Sequence, residues 1–284
     1  MNLENDKKKI TEDFFLGINA ANVELFGFIK EHFEVVKPVF PLVEFIVSRL
    51  SCVTELAVKG NNWDAEIIYR SALECLIKLI FITSGEGVEK EIRLKEFWED
   101  LCEIASIKQS EQAKKSLKLY GSDKTLRLAF TPILLSEEEE QRLRAKWPKS
   151  ERQKVEQKWS FSEMIVALSK NYKGNPVEMF IGLGHNYRYA SHVSHADETG
   201  ILIIKERDER PKCERDLADF AHYIKLMSDS FYFTISMAIN IVAFAGKDPK
   251  PFMDLTKSTK EASELANIYL DKLHDDKAYD KFRN

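Results

Sequence analysis

An all-α fold, a multi-helix bundle with at most one short extended segment, is what this sequence predicts, and three observations carry the expectation. Apolar residues recur at helical spacing along most of the 284-residue chain. Helix stops fall where Gly, Ser-Gly or Pro follows an apolar run. Extended signal is confined to Ile201–Lys205, too short to imply a sheet.

Taken in order, residues 11–36 place Phe14, Ile18, Val23, Phe26, Ile29 and Phe33 at helical spacing and predict one or two amphipathic helices before Pro38 and Pro41. A helix from Pro41 to Lys59 stops at Gly60. The next opens at Asn61-Asn62, runs to about Thr83 and ends at Ser84-Gly85. It is apolar over most of its circumference, so it should be central, yet it carries Glu66, Arg70 and Glu74 one turn apart as an ionic ladder. Residues 88–120 predict one or two charged helices, and Gly121–Pro132 reads as a connector.

Ser136 with Glu139 forms a capping box, opening a charged helix that Pro148 stops. Residues 148–158 read as a charged connector, and Trp159–Asn171 as a short amphipathic helix. A long helix from about Cys213 to Ala245 ends at Gly246, and residues 259–280 make a last, more polar helix. No internal repeat stands out. These breaks divide the chain into an N-terminal helical extension (1–38), a helical core domain (39–246) and a C-terminal helix packing on the core (247–284).

Composition narrows the function classes. A net charge of −4 leaves no global basic footprint, which argues against bulk adhesion to nucleic acid and leaves room for a local basic groove. Cys52, Cys75, Cys102 and Cys213 show no C-x-x-C spacing and predict reduced, buried thiols, as in a cytoplasmic protein. Met1–Lys9 is polar and no apolar signal region follows. The longest apolar run, Phe231–Ala245, is shorter than the roughly 20 residues of a bilayer span and is interrupted by Thr234, Ser236 and Asn240. It predicts a core helix and no membrane partner.

The stretch around which the chain is organised is Asn175–Glu198, N-P-V-E-M-F-I-G-L-G-H-N-Y-R-Y-A-S-H-V-S-H-A-D-E. Asn175 before Pro176 is a helix-start signal, because Asn accepts from exposed amides and Pro has no N–H to leave unpaired. His185, Arg188, His192 and His195 then follow at gaps of three, four and three, on one helix face. Gly182 and Gly184, costly inside a helix, imply a close neighbouring backbone or a kink.

An imidazole beside a guanidinium is the minimum equipment for metal-independent RNA cleavage. Histidine titrates near neutral pH and moves the proton, and arginine braces the charge developing on phosphorus. Arg188 and His195 are seven residues apart, about 10 Å along a helix axis, so a working site needs groups from a neighbouring helix or a second subunit. The plainer alternative is a hydrogen-bonded polar seam between packed helices. A metal site from His185, His192 and His195 with Asp197 or Glu74 is the third reading, weakened by the absence of any H-E-x-x-H or E-x-x-H pattern. No cofactor or metal is expected. Arg70 and Glu74 either orient Arg188 or a histidine, or form an intrahelical salt bridge.

Three scattered motifs carry a family resemblance: Arg70 to Glu74 (R-S-A-L-E), Lys158 to Ser160 (K-W-S), and Tyr187 to His195 (Y-R-Y-A-S-H-V-S-H). In their order and spacing they resemble the bacterial all-helical family called domain of unknown function 5677, over roughly residues 40–245. Arg70, Glu74, Lys158, Trp159, Tyr187, Ser191 and His195 fall on its pattern. Arg188 with His195 is also similar to the Arg-x4–6-His pattern of HEPN ribonucleases.

The resemblance implies an RNA endonuclease of a phage-defence or toxin system, completed by homodimerisation and paired with RNA and an antitoxin or defence partner. Arg188 and His195, with His192 from the same helix face although it has no place in the family pattern, would be its catalytic residues, supported by Arg70, Glu74, Tyr187 and Ser191. The rival expectation is a non-enzymatic binding or sensing module in which the same residues form a structural network or a small-ligand pocket.

Overall fold

The computed structural model describes residues 3–120, 123–171 and 176–274, apart from the side chains at 3, 120, 171, 176–181, 270 and 272–274. Helices follow one another with short turns, and no strand occurs among the described residues. In order they are α1 (Leu3–Glu31), α2 (Phe33–Val36), α3 (Phe40–Val58), α4 (Asn62–Thr83), α5 (Val88–Lys95), a π-helical turn (Glu96–Asp100) and α6 (Leu101–Tyr120). There follow α7 (Lys124–Phe130), α8 (Glu137–Lys146), α9 (Lys149–Lys158), α10 (Phe161–Asn171), α11 (Pro176–His195), α12 (Glu198–Glu209), α13 (Lys212–Phe244), α14 (Lys250–Leu255) and α15 (Lys260–His274).

The chain forms two compact units, Met1–Ser84 with Leu168–Asn284, and Gly85–Ala167. The limits at 38/39 and 246/247 follow breaks in the sequence, whereas these units follow packing. In the first unit α4 is flanked by α3, α11 and α13, and α13 also carries α1 and α15. Phe14 of α1 meets Phe231 of α13 at 5.9 Å between ring centroids, and both are fully buried. By length and composition α13 could cross a membrane, and 61% of its most apolar window is buried within the fold.

The helix stops are built as the sequence implies. Gly60 has φ +83°, and the Asn61 N–H reaches back to the Leu56 carbonyl at 2.9 Å. Gly246 has φ +70° and the same closure, Lys247 N–H to Val242 at 3.0 Å. Both are left-handed turns satisfying the last carbonyls of a helix, at positions where a Cβ would be strained.

Three segments depart from the sequence reading. Ile201–Lys205 lies within α12 rather than in an extended strand. Its β-branched run has strand propensity, but the Asp197 side chain accepts from the Gly200 N–H at 3.0 Å and starts a helix. The connector read over Gly121–Pro132 contains α7, capped by the Asp123 carboxylate on the Thr125 and Leu126 N–H groups. Residues 148–158, also read as a connector, contain α9. Ser136 does cap α8, accepting from the Glu139 N–H at 3.2 Å.

In the second unit a short repeat emerges that the sequence reading overlooked. Gln141–Trp147 (Q-R-L-R-A-K-W) and Gln153–Trp159 (Q-K-V-E-Q-K-W) each end a helix on a Lys-Trp pair. Lys146 Nζ and the Trp147 indole N–H both donate to Glu103 Oε2, at 2.6 and 2.7 Å. Lys158 Nζ and the Trp159 indole N–H do the same to Glu96 Oε2, at 2.6 and 3.0 Å. Glu96 and Glu103 lie two helical turns apart, so two identical carboxylate clamps tie α8 and α9 to one face. The Lys158-Trp159 motif thus has a packing role within this unit.

Candidate functional site

Only part of the expected constellation comes together. Across the α4–α11 contact, Arg70 Nη2 donates to the Tyr187 hydroxyl at 2.9 Å, and the guanidinium carbon lies 4.8 Å from the ring centroid. The same hydroxyl donates to Glu74 Oε2 at 3.4 Å, and Lys78 pairs with the other Glu74 oxygen at 2.8 Å. The ladder read on α4 therefore clasps Tyr187. It does not orient Arg188.

The other face of α11 points outward. His185, Arg188 and His195 are exposed, while Ser191 is half-buried and its carbonyl accepts from the Ser194 hydroxyl. His192 Nδ1 lies 2.7 Å from Asp197 Oδ2, with side chains 43% and 45% exposed. Against a carboxylate Nδ1 is the protonated nitrogen, so the neutral ring presents Nε2 as its bare acceptor, one turn from Arg188. The Gly200 N–H, then His192, holds the Asp197 carboxyl below its usual range. The expected Asn175 cap lies outside the described residues.

The turn between α11 and α12 sets this geometry. Ala196 adopts φ +48°, a left-handed conformation that costs a non-glycine residue of order 1 kcal/mol. Gly200 then seats its backbone on α11, where an added Cβ would collide with the His192 carbonyl oxygen. Among the described residues Gly182 and Gly184 have no such neighbour; the close approach falls on Gly200 instead. Gly200→Ala should accordingly displace α12 and cost about 2–4 kcal/mol. Ala196→Gly should stabilise by roughly 1 kcal/mol. Urea unfolding of the two variants beside the parent measures both.

A second polar cluster is buried between α4, α12 and α13. Helical spacing on α4 places Glu66 in the ladder, and its partners come from a distant helix. Its side chain has no solvent exposure, and its carboxylate meets His222 Nε2 at 2.9 Å and Lys225 Nζ at 3.0 Å. Arg207 Nη1 approaches His222 Nδ1 at 2.9 Å and also lies 3.6 Å from Asp219 Oδ1. The Arg207 guanidinium sits 4.4 Å over Trp63, which abuts His222 and stacks on Tyr189 of α11. Lys225 lies 4.0 Å over the Tyr69 ring, and the Tyr69 hydroxyl donates to Asp229 at 2.9 Å. His222 stands inside a long apolar helix, where its i+3 neighbour Lys225 was the one available signal.

Burial alone pushes Glu66 up, but the His222 hydrogen bond and Lys225 outweigh it and hold the carboxyl below its usual range. Burial pushes His222 down, and Arg207 and Lys225 add to that against the pull of Glu66. Burial also pushes Asp229 up and Tyr69 well up. The cluster is a saturated brace between helices.

No group of three or more His, Cys, Asp or Glu side chains suited to a metal ion occurs among the described residues. Cys52 is half-buried, Cys75 buried, and Cys102 and Cys213 exposed, so the expectation of uniformly buried thiols does not hold. Burial pushes the Cys75 thiol up to about 12, which makes it inert. No family model matches the chain, and no curated protein or solved structure matches it either.

Proposed function

We propose that the chain is a metal-independent RNA endonuclease whose cleavage face is the outer stripe of α11. The observation that carries this reading is the His192–Asp197 contact of 2.7 Å, which fixes an imidazole tautomer on an open surface beside Arg188. His192 Nε2 removes the proton of a ribose 2′-hydroxyl. The 2′-oxygen bonds to phosphorus as the bond to the 5′-oxygen breaks, leaving a 2′,3′-cyclic phosphate. His195 in its imidazolium form gives the departing 5′-oxygen its proton, and Arg188 stabilises the phosphorane charge. Arg70, Glu74 and Tyr187 fix the rotation of α11, and Ser191 lies on its flank.

Base and acid from one helix reach the phosphate from one side, whereas in-line displacement separates attacking and leaving oxygens. A second copy supplies the opposing group in this reading. Ile201 and Leu202 of α12, 54% and 53% exposed beside α11, are an apolar patch suited to such a homodimer. The motif resemblance supports a bacterial defence or toxin setting in the cytoplasm, with an antitoxin or defence protein as partner. The test is purified protein with RNA in EDTA: wild type should cut, and Arg188→Ala with His192→Ala should not. Equal cutting by variant and parent, or none by the parent, overturns it.

A specific observation also favours the non-enzymatic module. Arg70 and Glu74 both hydrogen-bond to Tyr187, and Glu66 to both His222 and Lys225, which is how structural networks behave. A fold that binds a partner through α11 but never turns over RNA would establish that reading.

A further inference from the structure

Arg207 stands between two acceptors of different character. His222 is buried, with its side chain 4% exposed, whereas the Asp219 side chain is 47% exposed. A guanidinium can only donate, so its contact at 2.9 Å requires His222 Nδ1 to be bare. Nε2 then carries the hydrogen and donates to Glu66 at 2.9 Å, which leaves the ring neutral with both nitrogens engaged. The charged groups acting on the ring are Glu66 from α4, Arg207 from α12 and Lys225 on its own helix. Beyond them lie Asp219 and Asp229, the latter on Lys225 and Tyr69, while α11 contributes Tyr189, stacked on Trp63.

We propose that His222 is a proton-operated latch on α12: the neutral ring holds Arg207 inward, and protonation at Nδ1 turns Arg207 outward to Asp219 and loosens the Arg207 end of the helix. A proton on Nδ1 replaces a hydrogen bond with two opposed donors of like charge. Glu66 retains the Nε2 hydrogen, so the ring stays in place while Arg207 moves. The start of α12 remains anchored, because Asp197 caps it and Gly200 is seated on α11.

Burial, with Arg207 and Lys225, sets the folded value of His222 below the ordinary 6.5. The docked arrangement is therefore fully supported above 6.5 and weakens as pH falls through that lower folded value. The latch is independent of RNA cleavage, and it would operate equally in a binding module.

Hydrogen exchange on the full chain between about pH 8 and 5, corrected for intrinsic rates, tests this. Opening of residues 203–209 should rise by up to about tenfold per pH unit as pH falls from 6.5 to the lower folded value of His222, with residues 230–244 of α13 unaffected. His222→Gln keeps an N–H for Glu66 and a carbonyl for Arg207, so its α12 should show no acid response. If that variant does not fold, Arg207→Met keeps the aliphatic stem on Trp63 and should likewise flatten the response. Imidazole nitrogen spectra should place the neutral-pH hydrogen on Nε2 of His222. A hydrogen on Nδ1, no acid response in the parent, or the same response in the folded variants overturns the latch.

Discussion

Glu66→Ala should lower stability by about 3–5 kcal/mol. Removing a fully buried carboxylate leaves Lys225 with only the more distant Asp229 carboxylate, at 3.7 Å, and leaves the His222 N–H without its acceptor. For a unit of this size the melting temperature should fall by roughly 10 °C. Glu66→Gln retains an acceptor for His222 but turns an amide toward Lys225, so a loss of roughly 1–3 kcal/mol is expected. Replacing Glu66, His222 and Lys225 together by well-packed apolar residues should recover most of the loss, because no charge is then left buried at the Glu66 position, Arg207 keeps Asp219 and Asp229 keeps the Tyr69 hydroxyl. Guanidinium unfolding at neutral pH ranks the three. A triple variant as unstable as Glu66→Ala would show that the network does more than satisfy itself.

The pH dependence follows from the same cluster. Glu66 is held below its usual 4.5, so its contribution is present above that value and is lost as pH falls through the lower folded one. The stability attributable to His222 begins to fall at higher pH, below 6.5. Acid unfolding of the parent should therefore show two stages. Glu66→Gln should lose the lower one.

On the surface of α11 the largest kinetic effects should divide by role. Arg188→Ala and His192→Ala should each slow RNA cleavage about 10²–10⁴-fold with unchanged unfolding curves, as expected of groups acting in the transition state. His195→Ala should show the same loss, relieved on substrates whose leaving group needs no proton. Asp197→Asn leaves His192 in place but weakens the hold on its tautomer, for a loss of roughly 10–100-fold. Tyr187→Phe removes the hydroxyl shared by Arg70 and Glu74, and should act on stability before rate. A Tyr187→Phe loss larger than that of His192→Ala would move the site from the open face of α11 to the α4 contact.

Much of the fold was legible because helix periodicity and caps are local. The spans of α3, α4 and α13, the Ser136 cap and the Gly60 and Gly246 stops all lie within a few residues of their signals. Ile201–Ile204 misled because a β-branched run reads as strand until a partner is needed, and the Asp197 cap three residues ahead of Gly200 decided otherwise. In the second unit α7 and α9 carry weak local signals because both are short, and the Glu96 carboxylate that clamps the end of α9 lies 63 residues away in sequence.

The sequence by itself determined which residues share a helix face: Glu66 with Arg70 and Glu74, and His185 with Arg188, His192 and His195. Periodicity is a property of the chain alone. Only the tertiary structure decided which face meets protein and which meets solvent. It joined Arg70 and Glu74 to Tyr187, turned Arg188 and His195 outward, and brought Glu66 to His222 across 156 residues. A carboxylate removed from water must find its hydrogen-bond partners wherever packing places them, and no local rule names those partners in advance.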